Sequence, residues 1–406
     1  MRVLVTGAKG FVGRNLCLAL ERQEGVEVLR YDLGNTRAEL EEWAGTCDFV
    51  FHLAGVNRPK DPAEFAKGNT GFTEELLALL ARRPVPVLLS SSIQAALDND
   101  YGKSKAAAEE AVRAYGERTG VPVYVFRLAN VFGKWCRPNY NSAVATWCHN
   151  IARDLPIMVR DPAAAVTLVY IDDVVERFIA CLPAAPKHGA REDTKTRRNL
   201  LKIDSSIESP CLCDSENSVF ERRRQSMDFL SVEPSYTKSL GKIVELIRSF
   251  HDEPKTLMVP DQADGFAKKL YATYLSYLPE DQFAYPLTMH VDDRGSFTEI
   301  LHTAERGQVS VNVSHPGITK GQHWHHTKHE KFLVVSGEGA IRFRKMDDPS
   351  AQVITYRVSG AKLGVVRIPP GYTHNIENLG TTDMVTVMWA NEVFDPQRPD
   401  TFREEV

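Results

Sequence analysis

Residues 321–337 read Gly321-Gln-His323-Trp-His325-His-Thr-Lys-His329-Glu330-Lys-Phe-Leu-Val-Val-Ser-Gly337. Alternate side chains of a strand share one face, so His323 and His325 are expected to point into one interior, with Glu330 returning on the next strand. His374 is a fourth candidate donor. It lies in Ile368-Pro-Pro-Gly371-Tyr-Thr-His374-Asn-Ile-Glu-Asn378, where a Pro-Gly turn feeds a further strand. Three imidazoles and one carboxylate suit Zn, Fe, Mn or Ni, and ligand type alone does not choose among them. A second group of residues lies at the start of the chain. The short run Arg2–Thr6 is followed by Gly7-Ala-Lys-Gly10-Phe11-Val12-Gly13, and helical periodicity begins near Arg14. Such a strand, glycine turn and helix lets backbone N–H groups approach a pyrophosphate, whose charge is favoured at the helix N-terminus. The next strand, Glu27 to Tyr31, ends at Asp32, which is placed to accept from the ribose hydroxyls of a dinucleotide. Arg14 or Arg37 could instead pair with a 2′-phosphate, so NAD and NADP both stay open. Tyr101 and Lys105 are four residues apart and share one helix face.

The elements that must position these residues follow from pattern and composition. At 406 residues the chain exceeds one ordinary core, and length predicts two or three domains. Apolar content of 43%, charged content of 25% and a formal net charge of −4 are those of a globular protein without broad attraction to nucleic acid or anionic lipid. The seven cysteines form no paired CxxC framework, which predicts reduced thiols and a cytoplasmic location. No run of about 18 apolar residues is present, and the start is already a strand entering a turn, so neither membrane insertion nor a signal peptide is expected. Strands at Phe49–Leu53 and Val85–Leu89 with a helix between them give βαβα alternation and a doubly wound parallel sheet. From about Lys187 to Asp228 the chain is poor in apolar residues, which predicts a disordered insertion without catalytic role. Beyond Pro286 short alternating strands separated by glycine turns predict an all-β jelly roll.

The first part resembles the extended short-chain dehydrogenase/reductases. The likeness is carried by Gly7/Gly10/Gly13, His52-Leu53-Ala54-Gly55, Asn69, Ser90-Ser91-Ser92, Tyr101-xxx-Lys105 and Arg127-Leu-Ala-Asn130-Val-Phe-Gly133. The resemblance implies an α/β Rossmann-type domain with Phe11, Val12, Leu53, Ala54 and Asn69 among the coenzyme-binding positions. It implies Tyr101 as the acid that protonates a carbonyl oxygen as hydride arrives. Lys105 would lower the Tyr101 pKa and hold the nicotinamide ribose, and Ser92, or alternatively Ser91, would bind the substrate oxygen. Asn69 and Asn130 could equally be solvent-facing turn residues. Extended members act mostly on nucleotide sugars, with a substrate lobe here drawn from Ala143 to Ile151, Tyr170 to Val174 and Gly241 to Phe250.

The second part resembles the cupins, through Gly317-x5-His323-x-His325-x4-Glu330-x6-Gly337 and Pro369-x-Gly371-xx-His374-xxx-Asn378. That resemblance implies His323, His325, Glu330 and His374 as ligands of a divalent metal, with zinc the expected ion. Asp293-Arg294-Gly295-Ser-Phe297 and Gly317 to His323 are also similar to the dTDP-4-dehydrorhamnose 3,5-epimerases, cupins in which the residue matching His323 is a base and no metal is used. His323 is therefore either a ligand or a catalytic base.

A nucleotide-sugar reductase (1–285) fused to an epimerase-like cupin (286–406) resembles the two-domain enzymes of bacterial capsular polysaccharide synthesis. Leu89-Ser-Ser-Ser-Ile-Gln94, Lys331 to Gly337 and Tyr372 to Asn378 carry the likeness. It implies a UDP-2-acetamido-2,6-dideoxy-4-ketohexose substrate. The cupin would invert C3 and the reductase would reduce C4 with NADPH to UDP-N-acetyl-6-deoxy-L-talosamine, on the route to UDP-N-acetyl-L-fucosamine. A homodimer is the expected assembly.

Overall fold

The computed structural model describes residues 1–57, 61, 63–183, 229–346 and 350–406. The expected insertion 187–228 lies outside the described residues. Two compact units are present, Met1–Ser142 with Val166–Lys238, and Ala143–Ala165 with Ser239–Val406.

In the first unit, strands β1 (Arg2–Thr6), β2 (Glu27–Tyr31), β3 (Phe49–His52), β4 (Val87–Ser92) and β5 (Val123–Leu128) form a parallel sheet in the order β2-β1-β3-β4-β5. Alternate residues feed opposite layers. Val3, Val5, Phe49 and Phe51 pack with Leu16, Leu20 and Phe178 on one face. Leu4, Val50, Val87 and Leu89 pack with Leu40, Leu76, Leu80 and Val112 on the other. Burial on both faces is why these strands read as unbroken apolar runs. All five strands run the same way, so Gly7, Asp32, Leu53 and Ser92 are delivered to one edge of the sheet. The order reverses direction between β1 and β3, and ligands of open α/β sheets bind outside the carboxyl ends at such a point. The serine triplet was expected to follow β4. It instead belongs to it, because the ladder with β5 continues through Ser92↔Leu128. A smaller sheet joins β6 (Asn130–Phe132), β7 (Ala165–Tyr170) and β8 (Ser235–Ser239).

The second unit begins with helices Ala143–Ile151, Leu240–His251 and Gly265–Leu275, whose buried faces include Trp147, Ile247, Phe250 and Leu270. It continues as the expected all-β jelly roll. Strands β9 (Met289–Asp292), β10 (Gly295–Thr303), β11 (Gly307–Ser314), β12 (Thr319–Trp324), β13 (Glu330–Ser336), β14 (Glu338–Lys345), β15 (Ile354–Ser359), β16 (Val365–Ile368), β17 (Tyr372–Asn378), β18 (Met384–Ala390) and β19 (Phe402–Arg403) follow in order. They build two antiparallel sheets, β16-β13-β18-β11-β10-β9 and β15-β14-β17-β12-β19. Phe332, Val334, Ile341, Phe343, Ile376 and Met384 fill one part of the space between them. Strand β11 reverses the usual alternation. Gln308, Ser310, Asn312 and Ser314 are buried while the valines between them are partly exposed. In register, Gln308, Ala390 and Glu330 lie side by side, as do Asn312, Thr386 and Val334, so this polar row shares the inner face of its sheet with Glu330.

Candidate active sites

In the first unit the turn after β1 is held by contacts that only glycine permits. Gly7 has φ +70°, and a Cβ on it would lie 2.8 Å from the Ala54 nitrogen; one on Gly13 would lie 2.1 Å from the Gly7 carbonyl oxygen. The helix Phe11–Leu20 starts at Gly10 with no side-chain cap, which leaves its first N–H groups directed at the strand-end edge. Asp32 faces the same turn. Its carboxylate accepts from the backbone N–H of Lys9 at 2.7 Å and of Leu33 at 2.9 Å. The two arginines considered as 2′-phosphate partners are engaged elsewhere. Arg37 pairs with Glu41 at 3.1 Å and Glu75 at 3.2 Å, and Arg14 lies over the Trp135 ring at 5.2 Å.

Beneath the turn is a closed polar relay. The Thr73 hydroxyl donates to the Asn69 carbonyl at 2.6 Å, so it must accept from His52 Nε2 at 2.8 Å. His52 Nδ1 then accepts from Thr6 Oγ1 at 2.7 Å, and Thr6 Oγ1 accepts from the Ala54 N–H. Burial first, and the Lys105 charge second, push the His52 pKa down to about 3, so the ring is neutral. The Asn69 side chain bonds both backbone groups of Val56 and the Ser104 hydroxyl. It is buried, which excludes the solvent-facing turn reading for this residue, whereas Asn130 is exposed.

Tyr101 and Lys105 project from the helix Asp100–Thr119, whose N-cap Asn99 accepts from the Gly102 N–H at 2.8 Å. Burial raises the Tyr101 pKa, and a side-chain hydrogen bond with Ser92 opposes the rise. The phenol is therefore a proton donor at neutral pH. Lys105 is buried and donates to the Ser90 carbonyl at 3.2 Å; burial lowers its pKa to about 8 against the pull of Glu109. Because the triplet is on β4, Ser91 and Ser92 face opposite ways. Ser91 Oγ donates to Glu109 at 2.5 Å, and Glu109 pairs with Arg127 at 2.6 Å, leaving Ser92 beside Tyr101. Glu109 was not singled out from sequence, although it follows Lys105 by one helical turn, and Arg127 entered only as the start of a motif that carries the reductase likeness.

In the second unit His323, His325, Glu330 and His374 converge, with one donor atom of each within 4.8 Å of every other. Donors come from both sheets. His323 on β12 sits opposite His374 on β17, while Glu330 opens β13 in the facing sheet. A bulge at Gln322 (φ 63°), next to Gly321 (φ 94°), precedes His323, and β12 stops at Trp324, so His325 lies just beyond the strand. The bulge also puts Lys320, opposite Ile376, on the inner side with His323; Lys320 Nζ donates to Asn312 Oδ1 and the Val313 carbonyl, each at 2.8 Å. His326 and His329 are exposed.

The cluster fits a divalent cation. Glu330 Oε2 lies 3.4 Å from His325 Nε2 and 3.5 Å from His374 Nε2, longer than charge-assisted hydrogen bonds but close to the edge of a tetrahedron with bonds of about 2.0–2.1 Å. His325 Nε2, Glu330 Oε2 and both His374 nitrogens are buried with no hydrogen-bond partner among the described residues. Buried polar atoms are almost always partnered, and His325 Nε2, Glu330 Oε2 and His374 Nε2, which face one another, are placed to share an ion. Burial would raise the Glu330 pKa, but His325, His374 and the Lys328 charge outweigh it and hold the carboxyl below its usual range. Burial, and then His374 and His325, lower the His323 pKa to about 4, which leaves its ring neutral and its lone pair available.

Comparison with known proteins divides the chain into two parts. Residues 3–193 match the NAD dependent epimerase/dehydratase family and residues 290–402 match the polysaccharide biosynthesis C-terminal domain. The chain is 45% identical over 404 residues to a UDP-2-acetamido-2,6-beta-L-arabino-hexul-4-ose reductase of Pseudomonas aeruginosa, covering 99% of this chain and 98% of the relative. The crystal structure of the capsular polysaccharide assembling protein CapF from Staphylococcus aureus superposes over the whole of both chains, with a TM-score of 0.83 and 46% identity. A Bacillus cereus UDP-glucuronic acid 4-epimerase, 16% identical, covers 68% of this chain and 99% of its own with a TM-score of 0.50, a likeness of fold alone. On end-to-end identity, the chain belongs to the CapF family of two-domain polysaccharide enzymes.

Proposed function

We propose that the chain is a bifunctional nucleotide-sugar enzyme of surface polysaccharide synthesis. Its domain 286–406 epimerises C3 of a UDP-2-acetamido-2,6-dideoxy-4-ketohexose, and its domain 1–285 reduces C4 to give UDP-N-acetyl-6-deoxy-L-talosamine. The observation that carries the reading is the Tyr101–Ser92 hydrogen bond beside buried Lys105, in a chain nearly half identical, end to end, to a protein named as a 4-keto-sugar reductase. A reduced nicotinamide dinucleotide supplies the hydride. Tyr101 gives its proton to the C4 oxygen as the carbonyl is reduced, Ser92 holds that oxygen, and Lys105 stabilises the resulting phenolate.

Chemistry orders the two steps. The C3 proton is acidic only while C4 is a ketone, since the carbanion is an enolate, and reduction removes that activation. Epimerisation precedes reduction. A divalent ion, with zinc the expected one, held by His323, His325, Glu330 and His374 would supply Lewis-acid polarisation of the ketone. His323 is the residue on which ligand and base readings differ, and its neutral ring serves either. The family resemblance implies NADPH as the donor and a homodimer, and the free cysteines fit a cytoplasmic location. Asp32 favours a second reading for the coenzyme, because a carboxylate at that edge suits a free ribose hydroxyl and repels a 2′-phosphate. Oxidation of NADPH and NADH is to be followed side by side with the 4-keto sugar. Stoichiometric oxidation of either supports a reductase, and redox-neutral turnover overturns it. Solvent deuterium appearing at C3 without coenzyme tests the epimerase.

A further inference from the structure

The loop between His325 and Glu330 is organised by a residue more than 70 positions away. Asp400 Oδ1 accepts from the His326 N–H at 2.8 Å, and Oδ2 accepts from the N–H groups of Thr327 at 2.7 Å and Lys328 at 2.8 Å and from the Thr327 hydroxyl at 3.1 Å. Three consecutive N–H groups closing on one carboxylate form an anion nest. The backbone carbonyl of the same residue bonds His325 Nδ1. A carbonyl only accepts, so Nδ1 carries the proton and the Nε2 lone pair is turned toward Glu330 and His374. Asp400 is itself held down. Phe402 stacks on Trp324 at 4.5 Å, β19 pairs with β12, and Arg344 bonds Glu404 at 2.9 Å and the Glu405 carbonyl at 2.6 Å.

We propose that Asp400 is a positioning residue of the metal centre. Its carboxylate sets the His326–Lys328 backbone and its carbonyl sets the His325 tautomer, so that the segment 400–406 acts as a strap that keeps two of the four donors aligned before an ion arrives. The proposal rests on the metal reading above. Partners of this kind, which orient a ligating histidine through its other nitrogen, typically change metal affinity about 10–100-fold when removed.

The test is Co2+ titration of the chelator-treated full chain, followed by visible absorption, for the wild type, Asp400→Ala, Asp400→Asn and His374→Ala, with thermal unfolding of each metal-free protein alongside. Asp400→Ala is expected to bind Co2+ about 10–100-fold more weakly and with altered absorption bands, at an unfolding temperature close to wild type. Both variants keep the backbone carbonyl; Asp400→Asn also keeps one side-chain acceptor oxygen, and is expected to recover part of the affinity. Equal affinity and identical bands for wild type and Asp400→Ala overturn this proposal alone. So does a loss in Asp400→Ala that Asp400→Asn fails to recover in any part. A wild type that binds no Co2+, or a His374→Ala that binds as well as wild type, overturns the metal reading together with it.

Discussion

Two buried histidines, one in each unit, are opposites in how their nitrogens are used. Both His52 nitrogens are matched, to Thr6 at 2.7 Å and Thr73 at 2.8 Å, and the relay ends on backbone groups of Asn69 and Ala54. Both His374 nitrogens are buried without a hydrogen-bond partner among the described residues, facing two further imidazoles and a carboxylate. Burial is equal for the two, at 1% exposure each, so exposure does not separate scaffold from site. Satisfaction does. A buried polar group without a partner costs roughly 1–3 kcal/mol, a cost that an ion bound among His325, Glu330 and His374 would remove. The first unit places Tyr101 and Lys105 on the helix Asp100–Thr119 beside a satisfied relay, whereas the second gathers unsatisfied donor atoms at one point.

That contrast can be broken in several ways. The largest effect is expected from Tyr101→Phe, which removes the proton donor and should lower coenzyme oxidation by about 10²–10⁴-fold. Deuterium exchange at C3 should persist in this variant, and loss of both activities would contradict separate chemistries. His374→Ala should remove metal binding, measured as bound zinc per chain, by more than the roughly 100-fold of an indirect partner, and leave coenzyme oxidation on a sugar already inverted at C3 intact. His52→Ala reverses the pattern. Two threonine hydroxyls lose a partner, so urea unfolding should show a loss of about 2–4 kcal/mol, with bound zinc unchanged. The smallest effect is one of pH. Lys105 loses its proton as pH rises through about 8, so kcat/KM for reduction should fall above that point. Glu109 raises the Lys105 pKa, and Glu109→Gln should move the fall to lower pH.

How much of this could be read from the sequence depends on the range of the interactions. Gly7, Gly10 and Gly13, Tyr101 with Lys105, and the His323, His325, Glu330, His374 group are legible because strand and helix periods translate short spacings into shared faces. The doubly wound sheet and the jelly roll are legible for the same reason. Spacing alone did not tell Ser91 from Ser92, because their faces depend on how far the β4–β5 ladder runs, which pairing across 36 residues decides. Nor did it show that Glu330 crosses to the facing sheet, since a hairpin and a crossover look alike over four residues. Asp400, Lys320 with Asn312, and Glu109 with Arg127 act through partners far away in sequence, or across a bulge such as that at Gln322 which shifts the alternation by one.

The most direct measurement is the fate of the C3 proton of the 4-keto sugar in D2O, with no coenzyme present, for the zinc-loaded chain carrying Tyr101→Phe. Deuterium is expected at C3 while no reduction occurs. A sugar that stays wholly protonated at C3 would contradict an epimerising second unit.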